Sequence, residues 1–142
     1  MKKIETFIQI EASTEKVWET LSQLEKYKDW NPFIIESKGQ VTKGNVLINT
    51  MKNGEQQMTF KPKVTQVEEG KYFEWLGNLF VPGLFDGRHY FKLTAQQDGS
   101  TLLEQGEYFT GILASLMLRW IGKNTEQGFQ AMNQALKNQV ER

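Results

Sequence analysis

The chain contains no cysteine. Disulfides, thiol nucleophiles and thiolate metal sites are thereby excluded, and the absence fits a reducing compartment. Only one histidine is present, with no HExxH-type spacing, so no metal centre is expected. One histidine also gives no Ser–His–acid order to argue from. No glycine-rich phosphate motif occurs, and no cofactor is expected. Neither sign of charge is in excess: 17 Lys+Arg stand against 17 Asp+Glu. A nucleic-acid partner would need a basic surplus gathered on one face, so none is expected. Long apolar runs are missing as well. The most apolar stretch, Ile112 to Ile121, is about ten residues long and interrupted by Arg119, whereas a spanning helix needs about 20. Lys2 and Lys3 have no apolar run behind them, so the N-terminus does not read as a signal peptide. The cytoplasm is the default location.

What is present suits one folded unit. A length of 142 residues fits a single core, and one domain is expected over 1–142. Hydrophobic residues at 39% and charged residues at 24% have the balance of a globular chain rather than a disordered one. Aromatic residues reach 12%, enough either to fill a small core or to line a cavity.

Ile4, Ile8 and Ile10 share one parity and predict a first strand with one buried face. Ser13 or Thr14 can cap a helix with Glu15 in its first turn. Val17, Trp18, Leu21 and Leu24 recur at helical spacing, so a short helix is predicted from about Thr14 to Leu24. Tyr27 to Pro32 is a break with room for a second helical turn. Turn signals then punctuate the chain around Gly44, Gly54, Gly70 and Gly99; Asn-Gly and Asp-Gly are strong hairpin signals because both residues tolerate positive φ. Between them lie strand-like runs at 33–41, 46–51, 56–67, 72–80, 88–97 and 101–110. Pro62 marks a bulge or an edge. From Leu113 to Val140 the hairpin signals vanish. Met117, Ile121, Phe129, Met132, Leu136 and Val140 return at helical spacing, predicting a long helix with a potential break near Gly122.

The order is strand, one or two short helices, six strands, long helix. The residues carry a resemblance further. Ile10-Glu11-Ala12-Ser13-Thr14-Glu15-Lys16-Val17-Trp18 and Tyr27-Lys28-Asp29-Trp30-Asn31-Pro32-Phe33 resemble the opening of the START-like superfamily, also called SRPBCC or polyketide cyclase/dehydrase-and-lipid-transport proteins. Gly87-Arg88-His89-Tyr90-Phe91-Lys92-Leu93, Glu107-Tyr108-Phe109-Thr110-Gly111 and Phe129 to Lys137 are similar to the matching parts of bacterial members. The resemblance implies an α+β helix-grip fold: a curved antiparallel sheet of about seven strands wrapped round a long C-terminal helix, with a cavity between them. It does not imply one activity, because the fold hosts carriers, cyclases and chaperone-binding domains.

On the strand that carries His89, the side shared by His89, Phe91 and Leu93 has no charged member and is the expected inner face. On the next strand the alternation leaves the parity open; the resemblance favours Leu103, Gln105, Glu107 and Phe109 as inward. His89, Gln105 and Glu107 would then be polar groups facing an apolar cavity. A His–carboxylate pair can move protons, and the two are the candidate catalytic residues if there is catalysis. Pairing with each other, with backbone or with water is the structural alternative. Phe73, Trp75 and Leu79 share a side that can form a cavity wall or ordinary core. Met117, Ile121, Phe129 and Met132 must face the sheet in either case. Gly128 in mid-helix costs about 1 kcal/mol against Ala, and makes room for a ligand or a close neighbour. The apolar link Phe80-Val81-Pro82-Gly83-Leu84-Phe85 and the segment Ile112 to Leu118 can form an adaptable entrance if they meet at one end of the cavity.

The expected function is binding or transport of a hydrophobic small molecule: a lipid, an aromatic or a polyketide-like compound. Two alternatives stay open. One is a cyclase or dehydratase using His89 and Glu107. The other is a protein-interaction module with a filled interior. A monomer or weak homodimer with at most transient membrane contact is expected.

Overall fold

The computed structural model describes residues 2–142. Strand β1 (Lys2–Ile10) leads to helix α1 (Thr14–Ser22), whose N-terminus is capped by Ser13: the serine Oγ accepts the backbone N–H of Lys16 at 3.2 Å. Val17 and Leu21 form its buried face. A short 3-10 helix (Leu24–Asp29) follows. The Asn31 Oδ1 then accepts the N–H groups of Phe33 and Ile34, both at 2.9 Å, and turns the chain into the next strand.

Strands β2 (Ile34–Lys38), β3 (Ile48–Asn53) and β4 (Gln56–Phe60) make a three-stranded antiparallel sheet. Strands β5 (Lys63–Glu68), β6 (Tyr72–Leu79), β7 (Phe85–Ala95) and β8 (Thr101–Thr110) join β1 in a five-stranded antiparallel sheet of order β1-β8-β7-β6-β5. Helix α2 (Ala114–Val140) packs across the inner face. This is the helix-grip architecture. Among the described residues, no helix is long and apolar enough to cross a membrane.

The run at 56–67, expected as one strand, is two strands on different sheets, so the described residues form eight strands rather than about seven. Pro62 has no N–H for a ladder and the chain leaves the sheet there. The two sheets are stitched at this point instead. Leu47 N–H donates to the Pro62 carbonyl at 2.8 Å, and Val64 N–H to the Asn45 carbonyl at 2.9 Å. Strand β7 begins at Phe85, three residues before its expected start, and β2 ends at Lys38, short of the expected Val41. Helix α2 runs through Gly122 without a break. Gly44, Gly54, Gly70 and Gly99 all adopt positive φ, as the four turn signals require.

The inner faces follow the alternation. His89, Phe91 and Leu93 are buried on β7, and Leu103, Gln105 and Phe109 on β8. Gly128 faces Phe33: a Cβ there would lie 2.4 Å from the ring's Cδ1. The missing side chain lets the phenyl ring stand against the helix, edge-on to Phe129 at 5.4 Å between centroids. Around Gly122 there is only ordinary contact, with Leu118 at 3.8 Å.

The outer face holds a tyrosine ladder. Tyr90 lies between Tyr72 and Tyr108, at 6.0 and 5.6 Å between ring centroids. Tyr72 donates to Glu74 at 2.7 Å, and Tyr90 donates to Glu104. Tyr27 is fully buried and donates to the Leu21 carbonyl. Burial raises the phenol pKa of all three, and the carboxylate partners of Tyr72 and Tyr90 raise theirs further.

Two measurements test these points. Gly122→Ala should raise the denaturation midpoint, stabilising the protein by about 0.5–1 kcal/mol. Gly128→Ala gains the same helix propensity but overpacks Phe33, and should cost about 1 kcal/mol net. Equal shifts in the two variants would mean that Phe33 does not need the gap. In the second measurement, the raised tyrosines stabilise the fold fully below the unfolded phenol pKa of about 10. Above it the unfolded chain releases protons that the fold retains, so stability is lost as pH rises. In alkaline denaturation series, Tyr27→Phe should show a shallower decline above pH ~10 than the wild type.

Candidate ligand cavity

Where β6, β7 and β8 run past the N-terminal half of α2, the inner layer does not close. A cavity of about 280 Å³ lies between the strands and α2. Trp75, Gly77 and Leu79 of β6, Phe85 of β7 and Phe109 of β8 form its main wall. Strands β3 and β4 add Met51, Met58 and Phe60. Helix α2 contributes Met117, Ile121 and Thr125, and Phe33 closes the inner end. The volume is near the lower bound of ligand pockets, which run to about 300–1,000 Å³.

The cavity separates two apolar clusters. The larger is built on Phe73, Phe91, Phe129, Met132 and Leu136. The smaller gathers Phe85, Phe109 and Ala114, with Leu79, Met117 and Ile121 packed against them. Among the residues singled out from the sequence, Trp75, Leu79, Phe85, Glu107, Phe109, Met117 and Ile121 therefore reach the cavity. Phe73, His89, Phe91, Gln105, Phe129 and Met132 lie in the closed core behind it. Helical and strand periodicity place a side chain inward, but they do not say at which level along the grip the packing opens. Several wall residues were not singled out: Phe33, Met51, Met58, Phe60, Trp120 and Thr125. The shared parity of Met58 and Phe60 was the available signal for two of them.

A chain of buried polar groups runs through the closed core, and two backbone carbonyls dictate its direction. The Thr6 hydroxyl lies 2.8 Å from the Gln105 carbonyl, to which it must donate. Its oxygen then accepts from Asn133 Nδ2 at 2.8 Å. Asn133 Oδ1 therefore faces Gln105 Nε2, at 2.6 Å, and the same Nε2 also reaches the Phe129 carbonyl at 3.3 Å. Gln105 Oε1 is left facing His89 Nε2 at 2.9 Å, so that nitrogen must carry a hydrogen. The other ring nitrogen, Nδ1, meets Glu107 Oε1 at 3.2 Å. One proton lies between Nδ1 and Oε1, since two lone pairs would repel and two protons would collide. The imidazole is clamped by stacking on Trp75 at 5.1 Å and by the edge of Phe129 at 4.8 Å. Of the three inward polar groups, only Glu107 touches the cavity; His89 and Gln105 stand behind it.

The two apolar linking segments do meet. Ile112 N–H donates to the Gly83 carbonyl at 3.1 Å, and Leu113 N–H to the Leu84 carbonyl at 2.9 Å. Leu79, just before the first segment, and Phe85, its last residue, line the cavity, as do Met117 of the second segment and Trp120 just beyond it. Phe80, Val81, Ile112, Leu116 and Trp120 are exposed around this end. Phe80 holds a φ of 72°, a conformation costly for a bulky side chain.

Solved structures share this architecture at low identity. A Streptomyces aromatase/cyclase, Zhui, superposes with a TM-score of 0.79 at 16% identity, over 99% of this chain and 94% of that one. A protein of Mesorhizobium loti gives 0.76 at 19% identity, over 99% and 98%. A START superfamily protein of Mycobacterium smegmatis gives 0.75 at 19% identity, over 98% and 97%. No curated protein matches the chain in sequence. A family model described as polyketide cyclase / dehydrase and lipid transport matches residues 1–141, nearly the full length. The chain belongs to that polyketide cyclase / dehydrase and lipid transport family.

Proposed function

We propose that the protein binds a hydrophobic small molecule in the cavity between β6–β8 and α2. The observation that carries this reading is the cavity itself. An interior lined by Trp75, Leu79, Phe85, Phe109, Met117 and Ile121 gives up packing contacts that a protein core would normally make. An apolar ligand restores them. The exposed apolar residues Phe80, Val81, Ile112 and Trp120 near this end of the cavity support the same reading, because exposed apolar surface of this kind commonly marks a ligand contact. The interaction-module alternative expected a filled interior and draws no support from an open one.

Catalysis is the second reading, and one observation favours it. The single proton between His89 Nδ1 and Glu107 Oε1 lies one carboxyl group from the cavity. A carbonyl compound bound there could exchange a proton with the pair, as general acid–base chemistry requires. The family description names both cyclisation and lipid transport, so it is compatible with either reading.

Binding is tested with an apolar fluorophore, read by its emission and by quenching of the tryptophan emission to which the cavity residues Trp75 and Trp120 contribute. Wild-type protein should bind it saturably. Gly77→Leu places a side chain into the cavity beside Pro62 and should weaken binding at least ~10-fold, about 1.4 kcal/mol. Its thermal midpoint should stay close to that of the wild type. Undiminished affinity would locate the probe elsewhere and sink the reading. Catalysis is tested by incubating the protein with a linear polyketone and looking for ring-closed product. Turnover that is present in the wild type and abolished by Glu107→Gln, with fluorophore affinity retained, would establish it. Absence of product leaves the binder.

A further inference from the structure

The two oxygens of Glu107 are not equivalent. Oε1 faces His89 Nδ1 at 3.2 Å, whereas among the described residues no protein donor reaches Oε2. Oε2 rests over Gly87, where a Cβ would come within 1.9 Å of it. Both residues line the cavity. The absent side chain at position 87 is therefore the notch that lets this carboxyl oxygen lie along the wall.

The chemical character of Oε2 follows from the chain behind it. Thr6, Asn133 and Gln105 are buried and their orientations are set by backbone carbonyls, so His89 Nε2 keeps its hydrogen and one proton is left for the Nδ1–Oε1 contact. If that proton is on Nδ1 and the carboxyl carries none, the pair is an imidazolium and a carboxylate, and Oε2 is an acceptor. If it is on Oε1, Oε2 is the carbonyl oxygen of a neutral acid, again an acceptor. In both placements the pair has no net charge. Two lining amides are engaged elsewhere, Asn53 Nδ2 donating to Thr125 Oγ1 at 2.9 Å and Asn78 Nδ2 to Asp86 Oδ1 at 2.8 Å, and the other lining donors, Lys52, Gln56 and Trp120, are solvent-exposed residues.

We infer that the cavity selects uncharged apolar molecules bearing one hydroxyl group, a phenol or an alcohol, which donates its hydrogen to Glu107 Oε2 over Gly87. This rests on the binding reading above and adds the functional group that the ligand must carry. A carboxylate or phosphate ligand would set its own acceptors against Oε2 and is selected against. An ether of the same shape fills the cavity but leaves Oε2 unpaired.

The test compares naphthol, methoxynaphthalene and naphthoate by calorimetric titration. Wild-type protein should bind naphthol ~10-fold more tightly than its methyl ether, as a hydrogen bond to a buried acceptor requires, and naphthoate most weakly. Glu107→Met removes the acceptor and should abolish the difference between naphthol and the ether. Glu107→Gln gives a sharper outcome and guards against a misfolded methionine variant. With Nε2–H held by Gln105, Nδ1 of His89 can only accept, so the new amide nitrogen must turn towards it. The amide oxygen then faces the cavity and the preference for naphthol should survive. A Glu107→Gln protein that prefers the ether would overturn the inference, because its amide would be facing the other way. Equal wild-type affinity for naphthol and its ether would overturn it while leaving the binding reading intact. If neither binds, the binding reading falls and takes the hydroxyl assignment with it.

Discussion

The side-chain amide of Gln105 ties the long helix to the sheet in the middle of an otherwise apolar core. Its nitrogen reaches Asn133 and the Phe129 carbonyl on α2, and its oxygen holds His89 on the neighbouring strand. Buried polar groups left unpaired cost more than paired ones return, so this contact tolerates neither rotation of the helix nor a slip of β8. A one-residue slip of β8 would carry Gln105 to the outer face and turn Glu104 inward, away from Tyr90, which stays outside on β7. Helix position, strand register and histidine orientation are thus one constraint rather than three.

From that point the two halves of the grip diverge. On one side Phe73, Phe91, Phe129, Met132 and Leu136 pack to closure, helped by Gly128, which lets Phe33 stand against the helix. On the other, Gly77 and Gly87 withhold side chains from the wall, and the flexible Met51, Met58 and Met117 stand among the rings of Trp75, Phe85 and Phe109. Glu107 sits where the halves meet. Its Oε1 belongs to the closed half through His89, and its Oε2 belongs to the open one. The stable half orients the group that the open half presents.

Much of this was legible in the sequence. The turn glycines, the Ser13 cap, the inward parity of His89, Phe91 and Leu93, and the long helical stripe all came from local rules, since each depends on neighbours within one turn or one strand. The inward face of Gln105 and Glu107 was not legible from alternation, because both sides of β8 carry apolar and polar residues. Family resemblance supplied it. The split of the run 56–67 into two strands was only half legible: Pro62 signalled an interruption, but the chain's transfer between sheets depends on Leu47 and Asn45, which lie far from it in sequence. Six of the residues singled out as cavity-facing lie in closed core, because inward direction and cavity depth are different properties.

The sequence by itself determined the order of elements and which residues point inward on most of them, because strand and helix periods are properties of the local backbone. It determined which polar groups would be buried once the faces were assigned. Only the tertiary structure decided where the core closes and where it stays open, because that depends on how far α2 stands from each strand. Only it decided that His89, the cross-strand partner of Glu107, lies in closed core while Glu107 reaches the cavity, and that Gly87 lies beneath a carboxyl oxygen. These are distances between residues 18 and 20 positions apart in the chain, set by packing across strands rather than along them.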